Sequence, residues 1–152
     1  HESKKYPKRP LSAITHIAVH HSLTDNIPGG NDVYSFARYH INHHGWPGIG
    51  YHYVIDKDGT IYKCNSAKKK TYHVGEHNYY SLGICLVGDF RNYSPAEEQY
   101  NALIELLKEV IQVYSISEDN ILGHSEFPGY SWKKCPAINM THIRENLKNY
   151  NR

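Results

Sequence analysis

The sequence predicts an α/β fold, one domain with a central mixed β-sheet flanked by helices. Three observations predict it. Short β-branched runs alternate with longer stretches of helical apolar spacing, the pattern of helices packed on a sheet. No internal repeat or linker divides the 152 residues, a length that suits one core. Residues 51–55 and 60–63, around Asp56-Lys57-Asp58-Gly59, read as a β-hairpin, and the sheet is read as mixed.

The elements follow in order. Residues 1–12 read as a lead-in that ends near Pro10, with the domain proper over 13–152. The lead-in is basic (Lys4, Lys5, Lys8, Arg9) but lacks the apolar core of a signal peptide. The chain begins at His1 and not at Met, as a fragment or a processed product would. Residues 13–19 form the first strand, built on the run Ile14 to Val19. Thr24 to Gly30 is a loop with Pro28-Gly29-Gly30 as its turn, and Asn31 or Asp32 caps a helix. That helix carries Val33, Phe36, Ala37 and Ile41 on one stripe, and Gly45-Trp46-Pro47-Gly48 stops it. The hairpin comes next, then a basic loop over Ser66 to Lys70, then a buried strand over Ser81 to Val87. Ser94-Pro95-Ala96-Glu97 has the form of a capping box with Pro at the first helical position. The helix it starts is expected to bury Leu103, Leu107, Val110 and Tyr114. Asn120 to Gly123 is a short strand leading into His124. A last helix after Asn139 carries Ile143, Leu147 and Tyr150 on one face.

Composition narrows the function. Hydrophobic content of 39% against 21% charged is that of a folding chain. The net charge of +2 is scattered, a weak case for nucleic acid, and no nucleic acid partner is expected. No apolar run reaches membrane-spanning length, so no membrane span is expected. Three cysteines, an odd count, argue against a disulfide framework and leave a thiol over, for which Cys135 is the candidate. Twelve histidines raise the prior for metal.

A histidine pair, His20-His21, ends the first strand, where a strand fixes position and opens onto loops. Its distant partners are Gly123-His124-Ser125-Glu126 and Lys133-Lys134-Cys135-Pro136. His20, His124 and Cys135 together match the three-ligand need of a catalytic zinc site. Singly, each has a plain alternative: a strand-end histidine, a loop residue, a buried thiol. His40 and His44, four apart on the first helix, are the nearest local pair, but that helix offers no third ligand. Glu126 reads as a surface carboxylate more readily than as a partner to a ligand.

Seven pieces in order then resemble the type 2 N-acetylmuramoyl-L-alanine amidase family, which includes phage endolysins and animal peptidoglycan recognition proteins. They are Ile17 to Ser22; Gly45-Trp46 with Ile49 to Ile55; Asp58 to Tyr62; His73-Val74-Gly75 with Asn78; Ser81 to Gly88; Gly123-His124; and Cys135-Pro136. The resemblance implies one zinc ion per chain, held by His20, His124 and Cys135, with His21 a neighbour. It implies catalytic roles for Tyr51 and Lys133 and substrate contacts for His73 and Asn78. Some members carry a catalytic Glu where this chain has Cys85, which shifts weight onto Tyr51 and Lys133. The implied substrate is bacterial peptidoglycan, cut at the lactyl–L-alanine amide by a monomer acting on the cell wall. A chain without a signal peptide would reach the wall by lysis, or after signal removal. The rival expectation is a recognition module that holds wall fragments without cutting them.

Overall fold

A computed structural model describes residues 1–24 and 32–150. The expected Pro28-Gly29-Gly30 turn and the Asn31 cap lie outside the described residues.

Five strands form one sheet in the order β3-β2-β4-β1-β5. They are β1 (His16–His21), β2 (Tyr53–Ile55), β3 (Ile61–Lys63), β4 (Ser81–Leu86) and β5 (Ile121–Gly123). β1 runs parallel to both β4 and β5, β4 runs parallel to β2, and β2 and β3 form the antiparallel hairpin. The sheet is therefore mixed, as expected. Three helices pack on it: α1 (Val33–Asn42), α2 (Glu97–Tyr114) and α3 (Met140–Tyr150).

Alternation along the two central strands separates a core face from a site face. Ile17 and Val19 of β1, with Leu82, Ile84 and Leu86 of β4, join Leu103, Leu107, Ile143 and Leu147 of α2 and α3 in the main core. The other face carries His16, Ala18 and His20 on β1, level with Ser81, Gly83 and Cys85 on β4. α1 covers part of that face, with Phe36 packed near Val54, Cys85 and Val87.

Four expectations need correction. The first strand starts and ends later than 13–19, because Leu11–Ala13 form a single 3-10 turn and pairing continues through His20 and His21. The histidine pair thus lies on the strand. The Ser94 capping box does not form, and α2 begins at Glu97 after Ala96. Tertiary bonds fix that start: the buried Gln99 amide donates to the Ile55 and Val87 carbonyls at the ends of β2 and β4. Tyr114 is only partly buried, and Tyr150 is exposed, with the Lys108 ammonium 3.7 Å over its ring. Met140, not Tyr150, completes the buried face of α3, since terminal turns project beyond the core.

The expected lead-in packs tightly on the domain. Tyr6 donates to the Gly48 and Ile49 carbonyls, and Lys8 bridges to Lys69. Arg9 is 4% exposed and donates to the carbonyls of Ala67, Asn78, Tyr79 and Ser81. α1 is capped as read from the sequence, by Asp32, whose side chain accepts from the Ser35 amide.

Candidate metal centre

His20 reaches the site because β1 holds it on the site face, one residue past the buried Val19. His124 follows β5 directly, at the start of a 3-10 turn. Glu126 fixes that turn: its Oε1 accepts from the Gly123 amide at 2.9 Å, while Arg144 of α3 pairs with both its oxygens. Glu126 is exposed, as expected of a surface carboxylate, yet it ties the His124 turn to α3. Cys135 lies in a loop whose carbonyl accepts from the Ser125 amide, which brings the two loops together.

The three side chains meet. Their donor atoms lie within 4.8 Å of one another, and all three residues are buried. His20 Nδ1 is 3.1 Å from His124 Nδ1 and 4.0 Å from Cys135 Sγ. A tetrahedral zinc ion with bonds of ~2.0–2.3 Å needs donor spacings of about 3.3–3.7 Å. The two His20 distances, 3.1 and 4.0 Å, bracket that range. Two imidazole lone pairs so close repel unless a proton or a cation lies between them. The donor set therefore fits zinc. Among the described residues this is the one such cluster of His, Cys, Asp or Glu. His40 and His44 do not join it. His40 Nδ1 accepts from the Gly50 amide, and His44 stacks on Trp46 at 4.6 Å.

Electrostatics keeps the donors neutral without a metal. Burial lowers His20 well below its usual value, helped by the neighbouring His73 and His124. Burial, then Lys133, brings His124 down to about 4. Burial pushes the Cys135 thiol up to about 11, opposed by the His21 amide and by Lys133. A metal-bound thiol is deprotonated, so binding at neutral pH would release a proton here. The His21 amide donates to Cys135 Sγ at 3.4 Å, which suits a thiolate. This role of His21 has no signal in its side chain, because the backbone performs it.

The remaining candidates surround this cluster. The Tyr51 ring lies 5.3 Å from the His20 ring. Burial drives its hydroxyl well above the usual phenol range, with the Cys85 and Cys135 thiols adding. Cys85 is fully buried, as expected, and all three cysteines are free thiols. Lys133 is close enough for its charge to act on His20, His124 and Cys135. Trp132 beside it is 72% exposed, with the Lys133 ammonium 5.0 Å from its ring. His73 bonds His20, Nδ1 to Nε2, at 3.0 Å. Asn78 is buried, and its Oδ1 accepts from the His73 and Val74 amides. Its side chain thus shapes the loop that carries His73.

A family model described as N-acetylmuramoyl-L-alanine amidase matches residues 10–138. The endolysin of Enterobacteria phage T3 is 30% identical over 141 residues, covering 87% of this chain and 86% of the endolysin. Peptidoglycan-recognition protein SC1a of Drosophila melanogaster is 30% identical over 117 residues, covering 76% of this chain. The chain spans only 60% of the length of that relative. Among solved structures, the N-acetylmuramoyl-L-alanine amidase LysC from Clostridium intestinale superposes with a TM-score of 0.80 at 24% identity, over 96% of this chain and 94% of LysC. That last likeness concerns the fold.

Proposed function

The chain belongs to the N-acetylmuramoyl-L-alanine amidase family, and on that footing we propose that it is a zinc-dependent amidase of peptidoglycan. The bond cut is the amide between the lactyl group of N-acetylmuramic acid and L-alanine. The observation that carries this reading is the convergence of His20, His124 and Cys135 on one buried point. Two neutral imidazoles and one thiolate would hold one zinc ion per chain and leave the centre a net positive charge. When bound, such an ion supplies Lewis acidity toward an amide carbonyl and toward water.

The chain's own residues do the rest. The Lys133 ammonium, at the rim of the cluster, binds the oxyanion that develops as the carbonyl becomes tetrahedral. Tyr51 keeps its proton at neutral pH and orients the substrate or hands a proton across the site. Cys85 occupies the strand position next to His20, and Tyr51 packs against the cluster that holds it. No carboxylate stands at that strand position, so proton transfer falls to Tyr51 and Lys133.

The chain would work as a monomer on the outer wall. Among the described residues no helix is long and apolar enough to cross a membrane.

The recognition-protein relatives favour a second reading, a module that binds wall fragments without cutting. The thiol at Cys135 and the ammonium at Lys133 support the enzyme, since binding alone needs neither. Metal analysis separates the two. The enzyme reading expects about one zinc per chain, lost with activity in Cys135→Ser. A metal-free native protein that binds wall and cuts nothing would make it the module.

A further inference from the structure

The His73 ring has both its nitrogens engaged inside the protein, and the partners fix its protons. Ser81 Oγ donates to the His77 carbonyl at 2.7 Å. A carbonyl only accepts, so the hydroxyl proton is committed. His73 Nε2, 3.4 Å from that oxygen, therefore faces lone pairs. Nε2 of His73 thus carries the ring proton. No carboxylate among the described residues bonds the His73 ring, so nothing there balances a second ring proton. In the neutral ring Nδ1 is then an acceptor. Among the described residues its hydrogen-bond partner is His20 Nε2 at 3.0 Å, which must then donate. A neutral His20 that carries its proton on Nε2 has its lone pair on Nδ1, the atom beside His124 Nδ1 and Cys135 Sγ.

We propose that His73 is a positioning residue, which selects the His20 tautomer that presents Nδ1 to zinc. The inference rests on the zinc reading above and gives His73 a role in place of the substrate contact expected from sequence.

The surroundings are built for this ring. A Cβ at position 83 would lie 2.7 Å from His73 Cγ, so the ring occupies the space that Gly83 leaves. Asn78 holds the backbone of His73 and Val74, and Arg9 holds the carbonyls of Asn78, Tyr79 and Ser81 behind it. Partners that fix a ligand's tautomer raise metal affinity ~10–100-fold. Both nitrogens being spent, only the ring face of His73 is left to meet a substrate.

The test compares zinc affinity, by chelator competition, in wild type, His73→Phe and His73→Gln. The Phe variant fills the space without an acceptor. The Gln variant offers an amide oxygen to His20 Nε2. We expect binding ~10–100-fold weaker in His73→Phe, with most of the loss recovered in His73→Gln. Nitrogen-15 NMR of the wild-type histidines supplies a readout that does not depend on the variants folding. It should find the His20 proton on Nε2, with and without zinc. A proton on Nδ1 in the wild type, or undiminished zinc affinity in a folded His73→Phe, overturns the inference. If wild type binds no zinc while His20 is protonated on Nε2, the zinc reading fails and the tautomer assignment stands.

Discussion

Arg9 offers the sharpest test of how the site is supported. Arg9 is 4% exposed, its guanidinium pairs with no carboxylate among the described residues, and it donates to backbone carbonyls of residues 67, 78, 79 and 81. Burial holds its pKa down near 10. Two large effects oppose each other in Arg9→Met. The variant loses four hydrogen bonds from a charged donor, each worth ~1.5–3 kcal/mol, and leaves buried carbonyls unpaired. It also removes a buried ion whose desolvation costs several kcal/mol. The bonds win in this balance, since three of the four carbonyls are bonded in buried surroundings where no water replaces the donor. The net loss should be about 3 kcal/mol. Urea denaturation should show a lower midpoint at unchanged slope, and the melting temperature should fall by roughly 6–12 °C. The His73 and Val74 amides should also exchange faster, because Arg9 anchors the segment on which Asn78 depends. A change under ~0.5 kcal/mol, or a gain, would refute the reasoning by showing that ion desolvation cancels the bonds.

Two other predictions follow from the electrostatics. His52 is fully buried and its pKa is brought down to about 4, chiefly by burial, with Arg9 adding and the Lys69 carbonyl opposing. Its unfolded value is near 6.5, so the two states bind protons equally above that pH. Below it the unfolded chain binds the extra proton, and stability falls by up to ~1.4 kcal/mol per pH unit until pH reaches about 4, roughly 3 kcal/mol in all. Denaturation curves between pH 7 and 4 should therefore be shallower in slope against pH for His52→Gln; an unchanged slope would show that His52 is not responsible. Lys133→Ala should lower kcat by ~10²–10³-fold with zinc content unchanged, and Tyr51→Phe should lower it less. Full activity in both variants would remove them from the chemistry.

How much of this was legible in the sequence depends on which forces set each feature. The elements were, because hydrophobic spacing on α2 and β-branched runs on β1 and β4 are local signals. The helix start at Glu97 was not, because Gln99 fixes it through strands far away in sequence. The strand Ser81 to Val87 read simply as buried. Its alternation in fact places Leu82, Ile84 and Leu86 in the core and Ser81, Gly83 and Cys85 under the site. That second set was visible as small and polar residues at every other position, but only the register against His16, Ala18 and His20 gives it meaning. His20, His124 and Cys135 stood out as residue types and through family resemblance, and folding brings them together. The support by Arg9, Glu126 and the His21 amide was hidden. Each acts through backbone groups or across elements, and neither leaves a spacing pattern.

The central claim is tested most directly by mass spectrometry of bacterial walls digested by the zinc-loaded protein, with and without a chelator. The account predicts new L-alanine amino termini, no new reducing sugar ends, and loss of both cleavage and zinc when the chelator is present. New reducing ends, or amide cleavage that persists after zinc is stripped, would contradict it.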